Sequence, residues 1–202
     1  MILSGVQMKT VFVFLIALLT MGGQMQAQFT VSDADPFFQV TPTLPGKLNY
    51  YLNCYAESLK ERHLTLVSRN SEGCDNCITK ISLTFDLFDT PNFDGAREVI
   101  VDLVGDLLKG VNARPDELKR YFAVFPLTIQ NVDVRVRIRQ NTQGCFIYPV
   151  LGNIAIISAA DGIIVYDTMN SFTFQLDMLR RETFENALKW VTFANPSKYP
   201  SL

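Results

Sequence analysis

The sequence has little of what catalytic and metal sites usually need. Its 202 residues include one histidine, His63, and one tryptophan. A single histidine excludes His-rich zinc sites and leaves one imidazole for general-base work near neutral pH. A nucleophile elbow, a phosphate loop, a dinucleotide fingerprint, a calcium loop and an N-glycosylation sequon are also missing. We therefore predict no catalytic residue, cofactor or metal, and expect His63 to cap a helix or lie at the surface.

The first 27 residues have the three-part order of a secretory signal peptide. Lys9 supplies the positive charge, Val11 to Met21 is an uncharged apolar run, and small or polar residues follow as far as Ala27. The apolar run is too short to span a bilayer comfortably, which takes about 20 residues. We expect cleavage after Ala27 and export to the periplasm or the extracellular space. The alternative is an N-terminal membrane anchor that is never cut.

The chain also lacks a strong excess of charge of one sign. It has 18 Lys and Arg residues against 20 Asp and Glu residues, a formal net charge of −2. This balance gives no reason to expect nucleic acid or an anionic membrane as a partner. No apolar run after residue 27 is long enough to cross a bilayer, so we predict no membrane span in the mature chain.

Four cysteines follow the expected cleavage site: Cys54, Cys74, Cys77 and Cys145. In an oxidising compartment an even number favours disulfides, and four cysteines permit three pairings that sequence alone leaves open. Cys74 and Cys77 have the spacing of a redox motif and of a zinc-binding pair. A redox site would need a helix N-terminus at the first cysteine, and a zinc ribbon would need a second such pair. A structural disulfide, for example to Cys54, is therefore preferred.

Hydrophobic periodicity predicts a single α+β domain over residues 47–202, preceded by a proline-containing arm or linker over residues 28–46. An apolar stripe predicts a long helix that begins at Pro91 and is ended by Gly110. The other predicted helices cover 47–62, 115–123 and 182–192, a polar loop covers 70–76, and the predicted strands cover 64–68, 80–87, 132–139, 154–158, 163–166 and 172–176. Segregated runs of strands and helices favour one twisted antiparallel sheet of five to six strands, with helices packed mainly on one face.

Several short motifs recur in a fixed order along the chain: His63 to Val67, Ile81 to Phe85, Ala96 to Glu98, Asn112 with Arg114 and Pro115, Phe125 to Thr128 leading to Asn131, and Glu182 with Ala187. With these motifs the chain resembles a family of small exported bacterial proteins of unknown function over about residues 55–190. It departs from that family at Leu127, where an aromatic residue is usual, and between Pro115 and Tyr121. The resemblance implies export and a shared fold, but no activity, ligand or catalytic residue.

Three arginines, Arg135, Arg137 and Arg139, share one face of a predicted strand. At two-residue spacing they form a line about 13 Å long. Such a line could hold a phosphate, a carboxylate or an acidic partner. The alternative is a solvated sheet face on which the arginines pair across strands with Asp86 or other acids.

Three functional hypotheses follow from these patterns. The favoured one is a non-catalytic binding or interaction module with a protein partner or self-association, because the sequence shows export signals but no catalytic constellation. The second is a small secreted hydrolase-type enzyme using carboxylates or a cysteine, which predicts a concave pocket containing Asp86, Cys74 or Arg135. The third is a structural protein stapled by disulfides. Asp102 and Asp106, at i,i+4 on the polar face of the long helix, are expected to be solvated.

Overall fold

The computed structural model describes residues 44–74, 77–142, 145–147, 153–170, 172–173 and 175–198. The predicted signal peptide, its cleavage site at Ala27 and nearly all of the predicted arm lie outside these residues. Among the helices of the described part, none is both long enough and apolar enough to cross a membrane.

The described residues form helices and strands in segregated runs. The helices are α1 (Gly46–Ser58), α2 (Phe93–Asn112), the one-turn α3 (Pro115–Leu118) and α4 (Phe184–Ala194). The strands are β1 (Leu64–Cys74), β2 (Cys77–Leu87), β3 (Val132–Ile138), β4 (Gln140–Thr142), β5 (Cys145–Ile147), β6 (Ile154–Ala160), β7 (Ile163–Met169) and β8 (Leu176–Thr183). This is the predicted α+β class.

Six strands form one open sheet in the order β1-β2-β3-β6-β7-β8, and β4 pairs with β5 in a separate small hairpin. Neighbours in the large sheet are antiparallel except β2 and β3, which are parallel. The predicted all-antiparallel sheet is therefore wrong, and the sheet is mixed. The cause is α2, which carries the chain from the end of β2 back along the sheet. β3 therefore starts at the same end of the sheet as β2 and runs in the same direction.

Helix α2 covers one face of the sheet and forms the core with it. Its side chains Ala96, Ile100, Leu103, Val104 and Leu107 are completely buried. They meet the alternating inward residues of the strands, among them Ile81, Phe85, Val132, Val136, Ile157 and Tyr166. Burying one such side chain is worth about 1.5–3 kcal/mol relative to leaving it exposed, so this interface supplies much of the driving force for folding.

The ends of α2 differ from the prediction. Asn92 caps the start by accepting a hydrogen bond from the Gly95 amide at 2.8 Å, so the helix begins at Phe93 rather than at Pro91. Gly110 remains helical, and the helix ends at Asn112. Gly110 serves a close approach instead, because a Cβ there would collide with the phenol oxygen of Tyr51 from α1.

Three other predicted elements also differ from the structure. The predicted polar loop at 70–76 is strand as far as Cys74, because its polar residues lie on an edge strand and pair with β2, as Glu72 does opposite Lys80. The predicted strand at 172–176 and helix from Glu182 are replaced by β8 and by α4, which begins at Phe184. Thr183 caps α4 by accepting a hydrogen bond from the Asn186 amide at 3.2 Å.

Candidate interaction surface

The arginine row lies on the sheet face opposite α2. The parallel register of β2 and β3 places Asp86 directly opposite Arg137. Arg137 donates to both carboxylate oxygens of Asp86, at 2.6 Å from Nε and 3.1 Å from a terminal nitrogen, and Nε of Arg139 lies 3.3 Å from the same carboxylate. Arg135 lies opposite Thr84, and its charge opposes the rise that burial causes in the pKa of Asp167. An anion could engage this row only by competing with acids that already neutralise it.

The described cysteines carry free thiols. Cys54 lies on α1, whereas Cys74 and Cys77 end β1 and begin β2, and all three are exposed. Cys74 and Cys77 are directly opposite each other in the strand register. Cys145 begins β5, but its side chain lies outside the described part of the structure. Disulfide pairing of the four cysteines therefore stays a prediction.

His63 ends a short 3₁₀ turn formed by Lys60–Arg62. It adopts the left-handed conformation, with a φ of 59°, and its amide donates to the Lys60 carbonyl at 3.0 Å. Its own carbonyl accepts from the Phe88 amide at 3.1 Å. The imidazole is exposed. The residue thus terminates a turn through its backbone.

Asp102 contradicts the expectation of a solvated carboxylate pair on α2. Its side chain is 9% exposed and accepts hydrogen bonds from Arg62 and Lys198, each at 2.8 Å. Asp106 is the exposed member of the pair, 3.4 Å from Arg62. Burial, with the charge of Asp102 next in size, raises the pKa of Asp106. The partners of Asp102 lie 40 and 96 residues away in the chain, so helical spacing could not reveal them.

A groove of about 1280 Å³ runs along α2 beside this ion-pair network. Its apolar lining includes Val99, Leu108, Phe184 and Leu188, and its charged lining includes Arg62, Asp102 and Lys198. Arg62 and Lys198 both pair with Asp102; Arg62 also pairs with Asp106 and Lys198 with Glu98, so each cation has more than one carboxylate partner. Asp86, Cys74 and Arg135 line neither this groove nor the two smaller cavities described between β8 and α4 and between α1 and β1.

A second ion pair, buried beneath β8, was not predicted. Arg97 is 3% exposed, and its guanidinium donates to both oxygens of Glu182, at 2.8 Å and 3.1 Å. It also donates to Asp94 at 3.1 Å. The guanidinium lies between two aromatic rings, 4.7 Å from the centroid of Phe93 and 4.5 Å from that of Trp190. The planar, bidentate arrangement suits arginine, and the two rings exclude water from it.

Tyr166 completes this cluster by donating its hydroxyl hydrogen to Glu182 at 2.7 Å. Burial, followed by the bond to Glu182, raises the pKa of Tyr166 far above its usual range. Burial alone would raise the pKa of Glu182, but the bonds from Arg97 and Tyr166 and the charges of Arg97 and Arg180 outweigh it and lower that pKa. We name these three residues, Arg97, Glu182 and Tyr166, the Arg97 cluster. Because their polar groups bond to one another, the cluster stabilises the structure and leaves no acid or base available for catalysis.

The Arg97 cluster had a signal in the sequence. Arg97 follows Phe93 by four residues and precedes Ile100 by three, so a charged residue interrupts an apolar helical stripe. A charge at such a position requires a partner when it is buried. The partner, Glu182, is 85 residues away. Both residues belong to the motifs that carried the family resemblance.

Exposed apolar side chains concentrate in the C-terminal part of the described chain. Nine large apolar residues of the described chain are exposed, and six of them fall between residues 172 and 193. We name these six the apolar edge: Phe172, Leu176, Met178, Leu179, Trp190 and Phe193. Phe172 and Phe193 are 93% and 87% exposed. Scattered exposed apolar residues are normal on a protein surface, whereas a contiguous exposed apolar patch is typical of an interaction site, so the segment that carries six of the nine is the candidate.

Three members of the apolar edge, Leu176, Met178 and Leu179, lie on β8, which is the last strand of the sheet. Its pairing with β7 shifts register after Tyr166, which leaves Leu179 as a bulge. Arg180 and Arg181 follow the bulge and are exposed. Arg180 lies 4.6 Å from the Phe93 ring and 3.8 Å from Glu182. A bulge and neighbouring charges disfavour the addition of another strand, so a partner would contact side chains rather than extend the sheet.

A cleft of about 630 Å³ separates β8 from α4 next to the apolar edge. Its floor is formed by Arg97 and Glu182, and its walls include Arg180, Arg181 and Trp190. Tryptophan and arginine are the residue types most enriched among the energetically dominant contacts of protein interfaces. The cleft and the apolar edge both involve β8 and α4, and together they define the candidate surface.

Comparisons of the chain with protein-family models, with curated proteins and with solved structures found no match. The family resemblance therefore stays a prediction, and a function has to be argued from the surface itself.

Proposed function

We propose that the protein is an exported, non-catalytic interaction module that binds a protein partner through the apolar edge. The observation that carries this proposal is the concentration of exposed large apolar side chains between residues 172 and 193. Export rests on the signal-peptide pattern of residues 1–27. Each Å² of apolar area exposed to water costs about 25 cal/mol of free energy. A bound partner that covers the apolar edge would recover this free energy.

The chemistry of the surface favours a partner segment that presents aliphatic and acidic side chains. Arg180 and Arg181 are exposed beside the cleft, whereas Glu182 is already neutralised by Arg97. An acidic group on the partner would meet Arg180 and Arg181, and aliphatic groups would cover Trp190 and Phe193. Complementary charge at such a rim raises the association rate and selects the partner, while the apolar contacts supply most of the affinity.

The hydrolase-type alternative has less support. It requires Asp86, Cys74 or Arg135 in a concave site, but the described cavities are lined by other residues. Asp86 is held between Arg137 and Arg139 on the open sheet face. A monomer that binds no partner but turns over a substrate would favour this alternative and overturn the proposal.

The test is a binding experiment with matched variants. The purified chain captures its partner from the native envelope fraction, the partner is identified, and its dissociation constant is measured with wild type, Leu179→Glu, Phe193→Glu and Val124→Glu. Val124 is the matched control, because it is 59% exposed but lies far along the chain from the apolar edge. Covering a leucine is worth about 1.5–3 kcal/mol, so Leu179→Glu should weaken binding by about 10- to 100-fold.

Two results would overturn the proposal. The first is equal binding by the edge variants and the Val124→Glu control, which would place the interaction elsewhere. The second is a stable dimer, measured by light scattering, that Phe193→Glu converts to a monomer. That result would assign the apolar edge to a second copy of this chain rather than to a different protein.

A further inference from the structure

The hairpin formed by β1 and β2 brings Cys74 and Cys77 together at its tip. The strand register pairs Glu72 with Lys80, Gly73 with Ile78 and Cys74 with Cys77. These pairs lie beyond the end of β3, whose pairing with β2 begins at Ile81. Both thiols are exposed. The two cysteines therefore face each other at an accessible end of the hairpin, joined by only two residues.

This position meets the geometric requirement for a disulfide. Residues directly opposite each other in an antiparallel pair have Cα atoms about 4.5–5.5 Å apart. Disulfides join cysteines whose Cα atoms are about 4.4–6.8 Å apart. The register therefore places the Cα atoms of Cys74 and Cys77 in the range that a disulfide spans, and the two thiols are free in this structure.

Gly73 sets the close approach of the two strands at the tip. Its φ is +108°, in the region that favours glycine, and the register shifts between Glu72 and Gly73. A Cβ at this position would collide with the carbonyl oxygen of Cys77. A residue other than glycine would thus push β2 away from β1 at the point where the cysteines face each other.

Cys54 is poorly placed to compete for either thiol. Its neighbour Asn53 accepts a hydrogen bond from Arg69, and the cavity between α1 and β1 is lined by residues 65–69 of the strand. Cys74 lies five residues beyond Arg69, which corresponds to about 16 Å of strand. Cys74 thus lies farther along β1 than the segment that contacts α1.

We infer that Cys74 and Cys77 form a reversible cross-strand disulfide by exchange with a disulfide donor. The thiolate of one cysteine attacks a donor sulfur, the S–S bond of the donor breaks, and one donor thiol leaves. The second cysteine attacks the resulting mixed disulfide and releases the other donor thiol. The two cysteines lose two electrons and two protons in total, and the donor disulfide is reduced to two thiols. Exposure at the tip keeps the bond accessible to reduction by the reverse reaction.

Trypsin digestion without reduction tests this inference in one measurement. Cleavage after Arg69 and Lys80 releases the peptide of residues 70–80, which contains Cys74 and Cys77 but no other cysteine. Cys54 and Cys145 fall in other peptides. The full chain is equilibrated in buffers of reduced and oxidised glutathione, quenched with an alkylating agent and digested. We expect peptide 70–80 to become about 2 Da lighter and resistant to alkylation as the oxidised fraction rises, and to take two labels when glutathione is reduced.

Variants separate the proposed chemistry from simple exposure. Cys77→Ser should stop at the mixed disulfide, so that Cys74 carries one glutathione. Gly73→Ala should lower the fraction of the intramolecular disulfide at a fixed buffer ratio, because a Cβ there would collide with the Cys77 carbonyl oxygen and move the strands apart at the cysteine pair. Cys54→Ser is the matched control and should leave peptide 70–80 unchanged.

Other outcomes would overturn the inference. Cross-links between peptide 70–80 and the peptides of Cys54 or Cys145 would show a different pairing. Two alkylated thiols in oxidised glutathione would show that the cysteines do not pair. A bond that persists in excess reduced glutathione would show a structural rather than a reversible disulfide. Because each readout comes from the wild-type chain, the test does not depend on the folding of any variant.

Discussion

Replacing Glu182 by Gln tests the Arg97 cluster directly, because the substitution removes one charge with little change of volume. Glu182 accepts two hydrogen bonds from Arg97 and one from Tyr166. In the variant, Arg97 remains 3% exposed with Asp94 as its remaining carboxylate partner in the cluster. Removing one member of a buried ion pair costs about 3–5 kcal/mol when the other charge stays buried, and Asp94, whose side chain is 57% exposed, offsets only part of the Arg97 charge. Domains of this kind are stable by about 5–15 kcal/mol, so the loss should be large.

Urea unfolding measures this loss, with Trp190 as the reporter. Trp190 is the single tryptophan of the chain, and its ring packs on the Arg97 guanidinium, so its fluorescence reports on the cluster. Glu57→Gln is the matched control: Glu57 pairs with Lys60, and both side chains are more than half exposed. Such a surface pair is worth about 0–1 kcal/mol. If Glu182→Gln lowers the free energy of unfolding no more than Glu57→Gln does, Glu182 does not stabilise buried Arg97 in the way described.

The pH dependence provides a second readout of the same variant. Because the pKa of Glu182 is lowered in the folded protein, its ionised form stabilises the fold above its unfolded pKa, about 4.3 for Glu. This stabilisation disappears as the pH falls through the lowered pKa of the folded state. Wild type should therefore lose part of its free energy of unfolding below about pH 4.3, and Glu182→Gln should lose less over the same range. If the free energy of unfolding falls with pH by the same amount in wild type and in Glu182→Gln, the lowered pKa does not belong to Glu182.

Two further substitutions are expected to act in opposite directions. Burial raises the pKa of Asp133, whose Oδ1 is buried without a hydrogen bond and lies 3.5 Å from Lys80. Asp133→Asn should therefore preserve or raise the urea midpoint at pH 7, and a lower midpoint would contradict this account. Tyr55 donates its hydroxyl hydrogen to the Leu103 carbonyl at 2.8 Å in a buried site. Tyr55→Phe should lower the free energy of unfolding by about 0.5–1.5 kcal/mol, and an unchanged thermal midpoint would contradict it.

The parts of the fold that the sequence predicted are those determined by local periodicity. Alternation in 80–87 and 132–139 identified β2 and β3, and the apolar stripe of 93–111 identified α2, because burial on one face imposes a period of two or 3.6. Pairing direction has no such local signature. β2 and β3 each have one buried and one open face, so their pattern is the one usually found in antiparallel strands.

The candidate surface was harder to predict, because its contacts join distant parts of the chain. Arg97 and Glu182 meet only because β8 lies at the far side of the sheet, next to α4 and above α2. Asp102 likewise pairs with residues that are distant in the chain, Arg62 and Lys198. Its spacing on the helix alone predicted that it would be exposed to solvent. The cross-strand position of Cys74 and Cys77 depended on where β1 ends. The predicted loop at 70–76 would separate Cys74 from the sheet, whereas in the structure β1 continues to Cys74 and pairs it with Cys77.

The position of the Arg97 cluster beneath the apolar edge connects stability with binding. Trp190 covers Arg97 with one face of its ring and is still 37% exposed, and Arg180 lies on Phe93 while it also faces the cleft. The side chains that would contact a partner are therefore held in place by buried charges before any partner arrives. Such preorganisation lowers the entropy lost on binding. Polar residues at Met178, Leu179 and Phe193 would make the isolated protein more soluble, so folding alone does not require the apolar edge, and its exposure is what the proposed binding role predicts.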